Sequence, residues 1–156
     1  DIRPSRGLGD VYKRQGLMGQ IADAALENGG EVTGVIPESL ADREIAHPRV
    51  TSLIVTTDMH ERKKTMYNLA DAFIALPGGM GTLEEVFEAA TWTKLGMHRN
   101  GIYKPVVLLD NGEFWQDMIK FLNFQVSAGF VSQKNREIVC SAYTADQAIE
   151  LAMKNP

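Results

Sequence analysis

An α/β fold, in which a parallel sheet is covered by helices on both faces, is predicted by two features of this sequence. From residue 16 onward, short apolar runs alternate with stretches of helical periodicity. Two of the runs, residues 72–76 (AFIAL) and 105–109 (PVVLL), are apolar at every position. Strands of that kind are buried on both faces, as in parallel sheets sandwiched between helices. The expectation is therefore a doubly wound, Rossmann-like domain, whose ligands sit beyond the C-terminal ends of the strands.

The elements follow in order. Residues 1–15 mix Arg3, Arg6, Lys13 and Arg14 with Pro4, Gly7 and Gly9 and show neither periodicity. Met18, Ile21, Ala22, Ala25 and Leu26 mark one face of a first helix, and Gly29-Gly30 is its stop signal. Residues 31–36 (EVTGVI) read as a strand closed by Pro37, and a polar loop runs to about residue 50. Residues 52–56 (SLIVT) form the next strand, 59–70 a helix and 72–76 the first wholly apolar strand. A helix starts near Thr82 and stops around Leu95-Gly96. The strand 105–109 precedes a helix over about 113–128, a short strand at 138–141 and a closing helix at 145–154. One domain over residues 16–156 suits the length of 156 residues.

Composition narrows the function. A net charge of −4 gives no basic footprint for nucleic acid. Cys140 is the only cysteine, so no intramolecular disulfide forms, and in an apolar strand it reads as a small hydrophobe. His47, His60 and His98 lack paired ligand spacing, so no metal site is inferred. No apolar run approaches membrane-spanning length and the start lacks a signal peptide's apolar core, so a cytoplasmic protein is expected.

The chemistry concentrates at Pro77-Gly78-Gly79-Met80-Gly81-Thr82, between an apolar strand and a helix carrying Glu84 and Glu85. Glycines there allow a sharp turn and a close backbone approach, and the N–H groups opening the next helix favour an anion. No lysine follows the last glycine, so this is not a triphosphatase loop, and a monophosphate is the modest inference. A tight strand-to-helix turn with no ligand is the bland alternative. Thr82 and Glu85 also have the spacing of a capping box, which would make Glu85 structural.

The 59–70 helix adds a cation. Arg62 falls on the face of Met59, Met66 and Leu69, near the positive end of the helix dipole. A bound phosphate, or a carboxylate such as Glu85, would relieve both costs; otherwise the side chain snorkels to the rim. Lys63 and Lys64 alone read as an ordinary solvated face. Asp58 is the expected N-cap, with Glu61 at the third helical position.

These residues resemble the Lonely Guy (LOG) family. Pro77-Gly78-Gly79-Met80-Gly81-Thr82-Leu83-Glu84-Glu85 is similar to its PGGxGTxxE signature, and Met59-His60-Glu61-Arg62-Lys63 to its M-H-x-R-K motif. Gly16-Leu17-Met18-Gly19, Gly34-Val35-Ile36-Pro37, Arg43-Glu44-Ile45 and Thr91-Trp92 also match, so the likeness covers residues 16 to about 150. The family hydrolyses the N-glycosidic bond of cytokinin riboside 5′-monophosphates, giving free base and ribose 5-phosphate. The resemblance implies that Arg62 and Glu85 are the catalytic pair, with Arg62 fixing the phosphate or holding Glu85 ionised. It implies phosphate and substrate contacts from Gly78, Gly79, Met80, Gly81, Thr82 and Glu84, with Lys63, Glu44, Thr91, Gly16, Met18 and Gly19 around them. It further implies a homodimer, a small nucleoside 5′-monophosphate as partner, and no cofactor or metal.

The chain departs from the family at its start. There the family has a strand, a helix and a second strand ending in a glycine-rich loop, where this sequence reads DIRPSRGLGDVYKRQ. A translated adaptor fused to a truncated frame, or an unusual natural extension, both fit. Residues 99–104 also make a longer turn than the family's. Two other functions stay in view, a broader AMP or purine monophosphate nucleosidase and a non-catalytic nucleotide carrier. The joint presence of Arg62 and Glu85 argues against the carrier, and no constellation supports pyridoxal-phosphate chemistry.

Overall fold

The computed structural model describes residues 16–41, 47–110 and 113–154. The chain divides into two compact units, Asp1–Met66 and Tyr67–Pro156, and each carries its own parallel sheet.

In the first unit, helix α1 (Leu17–Glu27) starts from Gly16 and ends where Gly29 takes φ +78°, as the glycine pair predicts. Asn28 caps its end by donating from Nδ2 to the Ala24 carbonyl at 2.8 Å. Strand β1 (Thr33–Pro37) runs parallel to β2 (Ser52–Thr56), with Thr33 opposite Ser52 and Pro37 opposite Thr56. Proline closes β1, a position where its missing donor is tolerated. A one-turn helix, α2 (Glu38–Ala41), opens the stretch expected to be loop. Helix α3 (Met59–Leu69) begins as anticipated, with the Glu61 amide donating to Asp58 Oδ1 at 2.8 Å. Glu61 reaches back to the Thr57 amide and hydroxyl, both at 2.7 Å, and these bonds hold its carboxyl below the usual range.

The second unit contains β3 (Phe73–Ala75), α4 (Met80–Leu95), β4 (Val106–Leu109), α5 (Gln116–Ser127), α6 (Gln133–Arg136), β5 (Val139–Ala142) and α7 (Ala145–Ala152). Its sheet has the order β3-β4-β5, all parallel. The period-two alternation of β4 sends its side chains into two separate cores. Val106 and Leu108 pack with Val86 and Ala89 of α4 and with Trp115 and Leu122 at α5. Val107 packs with Ala142 and with Ala148 of α7. Helices thus cover both faces, which is the α/β, Rossmann-like arrangement the apolar strands predict. Gly96, at φ +64°, ends α4 at the predicted place, and Ser132 and Thr144 cap α6 and α7 through their side chains.

Three expectations need correction. The strands fall into a two-stranded and a three-stranded sheet, because an apolar run says that a strand is buried but not which strand it pairs with. Ile74 is 42 % exposed, since β3 lies at an edge of its sheet. On α3 the expected apolar stripe is not the buried face: Met59 and Leu69 are exposed and Met66 is half-buried, whereas Lys63 and Tyr67, one turn apart, are buried. Lys63 is therefore not on a solvated face.

The second unit also buries a polar cluster that no pattern announced. Thr93, His98 and Lys104 are all under 9 % exposed. The Thr93 hydroxyl has one proton, which it donates to the Lys104 carbonyl at 2.8 Å. It therefore accepts from His98 Nε2 at 2.9 Å, fixing that ring's tautomer. Burial, reinforced by the nearby Lys104 charge, holds His98 below its ordinary value. The Lys104 ammonium donates to the Tyr67 carbonyl at 2.8 Å, tying the turn before β4 to Tyr67. Among the described residues, no helix is long and apolar enough to cross a membrane.

Candidate functional site

The glycine-rich loop leads straight into α4. Gly79 is the N-cap, in extended geometry at φ −92° and ψ −155°, and no side chain caps the helix. The first helical bond runs from the Leu83 amide to the Gly79 carbonyl at 3.1 Å. The amides of the opening turn have no intrahelical partner, and a 16-residue helix lends them its dipole. Nothing lies within 4 Å of where a Cβ would stand on Gly79 or Gly81, so the backbone is open to an incoming anion there.

Gly78 has a different reason to be glycine. A Cβ built on it would overlap the Thr82 hydroxyl and lie 3.0 Å from Thr82 Cβ. Thr82 thus packs down onto the bare Gly78 backbone and fixes the loop from inside the first turn. Gly78→Ala is expected to cost about 1–3 kcal/mol in a urea melt, the usual range for overpacking. Pairing it with Thr82→Ala should recover part of that loss.

The capping-box reading of Thr82 and Glu85 does not hold. The helix begins at Met80, so Thr82 is its third residue rather than its cap, and no side-chain cap bond forms. Glycines in the N-cap region let the helix start before the first residue whose side chain could cap it. Glu85 lies half-buried in the next turn, while Glu84 and Met80 are exposed. Tyr67 is pushed well above its ordinary value, first by burial and then by Glu88, Glu85 and Glu84, so these carboxylates share one neighbourhood. Its hydroxyl donates to Glu88 Oε2 at 3.3 Å. Glu88 escaped sequence reasoning, although its spacing of three from Glu85 was visible.

Arg62 belongs to the first unit. Its Nε donates to the Val35 carbonyl at 3.0 Å, and Nη1 lies 3.7 Å from Met59 Sδ. The guanidinium is therefore half-buried and tied toward the C-terminal end of β1 rather than loose at a rim. Gly16 is the N-cap of α1, Gly19 is buried behind it and Met18 is 75 % exposed. Thr91 uses its hydroxyl on the Phe87 carbonyl at 2.7 Å. It stands about 16 Å along α4 from the loop at the usual helical rise. Glu44 lies outside the described residues.

Beside the loop is a cavity of about 380 Å³, lined by Gly78, Phe87, Phe114, Trp115, Met118 and Phe121 among others. Only Gly78 of this group was singled out from sequence. The aromatic residues come from α4, from the turn before α5 and from α5 itself, and their convergence has no linear signature.

A family model described as "Possible lysine decarboxylase" matches residues 18–152. A cytokinin riboside 5′-monophosphate phosphoribohydrolase of Rhodococcoides fascians is 49% identical over 130 residues, covering 81% of this chain and 64% of that protein. The Arabidopsis thaliana protein of that name designated LOG2 is 46% identical over 136 residues, covering 87% of this chain and 62% of its own. The Oryza sativa subsp. japonica LOG protein is 45% identical over 146 residues, with 92% and 59% covered. The chain thus spans about six-tenths of the length of the curated relatives it matches.

Proposed function

This chain belongs to the Lonely Guy family, whose model carries the description possible lysine decarboxylase, and on that footing we propose that it hydrolyses nucleoside 5′-monophosphates. The preferred substrates are cytokinin riboside 5′-monophosphates, the compounds named for its relatives. The observation that carries this reading is the uncapped, glycine-lined start of α4 with Glu85 one turn behind it.

The 5′-phosphate sits on the backbone amides of residues 79–82, where the helix dipole and open glycines suit an anion. Binding energy collected there, remote from the reacting bond, places the glycosidic carbon for attack. As the bond to the base breaks, its electron pair leaves with the base nitrogen and positive charge develops on the ribose. The Glu85 carboxylate stabilises that charge and takes a proton from the attacking water. Water oxygen bonds to the anomeric carbon, and a proton ends on the departing base, so substrate and water give base and ribose 5-phosphate. Arg62 is assigned to the catalytic pair by the family pattern, and its bond to Val35 limits the freedom of its guanidinium. Lys63, Glu44, Thr91, Gly16, Met18, Gly19, Met80 and Glu84 are assigned to the substrate's surroundings by the family pattern.

The activity is assigned to residues 16–156, acting in the cytoplasm as a homodimer. Exposed Phe121, Phe124 and Phe130, at 54, 62 and 83 %, support burial against a second copy.

The test is base release from isopentenyladenosine monophosphate, AMP and the unphosphorylated riboside, followed by chromatography. It is run on this chain and on one extended at its N-terminus by the family's strand–helix–strand. Release from the monophosphate alone supports the reading. Equal release from the riboside would overturn the phosphate anchor, and equal use of AMP would point to the broader nucleosidase.

A further inference from the structure

Asp110 is a buried carboxylate that the reaction above does not use. It stands two residues beyond Leu108 on β4, as Pro77 stands two beyond Leu108's partner Ala75 on β3. That register places it at the C-terminal edge of the sheet, next to the strand that feeds Gly78. The side chain is 1 % exposed. Its Oδ2 accepts from the Trp115 amide at 3.3 Å and from Gln116 Nε2 at 2.9 Å. Both donors belong to the start of α5, the helix whose residues wall the cavity beside Gly78.

Two further observations set this corner apart. Asp110 Oδ1 and Trp115 Nε1 are buried without hydrogen-bond partners. A half-satisfied carboxylate in the interior is costly, and a neutral group of the same shape would fold at least as well. Glu113, just before the wall, holds φ +65°, a left-handed conformation that strains a residue with a side chain. Trp115 is thus held through its amide by Asp110, with Phe114 edge-on to Trp115 at 4.7 Å between centroids.

We propose that Asp110 is a positioning residue: it holds Phe114, Trp115 and Met118 against Gly78, and the preference for a nucleotide with an apolar base substituent depends on that hold. The inference rests on the nucleotide reading given above and adds the residue that maintains its substrate preference. A phosphate on the loop leaves the rest of the nucleotide within reach of a cavity of about 380 Å³ that shares Gly78 as a wall. Its lining side chains offer area for an apolar group, whereas an unsubstituted amino group gains little from it. The wall begins at the helix end that Asp110 fixes. Freeing that end lets the aromatic side chains drift, so contacts to the substituent weaken while those to the phosphate remain.

The experiment compares wild type, Asp110→Ala and Asp110→Asn on AMP and on its N6-isopentenyl derivative, with KM and kcat separated. Asp110→Ala is expected to raise KM for the isopentenyl nucleotide about tenfold, the scale of a lost apolar contact set. KM for AMP and both kcat values should stay within about twofold. Asp110→Asn, which keeps an acceptor for the Trp115 amide, should restore the preference. An equal rise in KM for both nucleotides, a fall in kcat, or a lowered melting temperature with unchanged KM values would each overturn the proposal. The same two nucleotides are also titrated calorimetrically. If wild type hydrolyses neither, the hydrolase reading fails on its own, and the ratio of dissociation constants still decides whether Asp110 sets the preference.

Discussion

Glu85→Gln is expected to leave a folded protein that binds nucleotide and releases base about a thousandfold more slowly. The amide matches the carboxylate in shape, and position 85 is half-buried on a well-formed helix, so packing should change little. In the proposed mechanism, what is lost is the negative charge beside the developing cation and the base that takes the water's proton. Each is a contribution of two to four kcal/mol in comparable sites, and a thousandfold corresponds to about 4 kcal/mol. KM should hold within about threefold, because the phosphate anchor is untouched. Steady-state base release, alongside circular dichroism to confirm folding, checks this. Retained turnover would move the chemistry away from Glu85, with Glu84 and Glu88 as the carboxylates nearest in sequence.

Leu108→Ala should be the most damaging change to stability, lowering it by about 3 kcal/mol, within the range for large-to-small core substitutions. Leu108 is wholly buried in the middle strand of the second unit's sheet. It belongs to the cluster shared by α4 and α5, so the cavity left behind touches both helices. The strands on either side restrain its backbone, through Ala75 and Ser141, and limit collapse into the void. A loss near 3 kcal/mol is a large part of the stability of a domain this size. Urea unfolding followed by tryptophan fluorescence measures it, and an effect below about 1 kcal/mol would show that Leu108 is not central to that core. Leu108→Met, closer in volume, should lose less than half as much.

Local chemistry explains which features the sequence announced. The breaks at Gly29 and Gly96 were legible because both glycines take positive φ. Asp58 was legible as a cap because the bond it makes spans only three residues. The 77–82 turn was legible because glycines, a strand and a helix stand in one short stretch. The capping box was misread for the same locality: Thr82 and Glu85 have the right spacing, yet the helix had already begun at Met80. On α3 the stripe of Met59, Met66 and Leu69 suggested the wrong buried face. Burial there followed what packs around Lys63 and Tyr67.

By itself, the sequence determined the α/β class, the order of most elements and the glycine turn. Those are properties of neighbouring residues, written in periodicities of two and 3.6 and in the special geometry of glycine. Only the tertiary structure decided the strand pairing, the exposure of Met59 and Leu69 on α3 and the burial of Thr93, His98 and Lys104. It alone brought Phe87, Phe114 and Trp115 around Gly78. The physical reason is the same for each. Strand partners, buried faces and cavities arise when residues far apart in sequence compete for the same volume, and no local pattern encodes the winner.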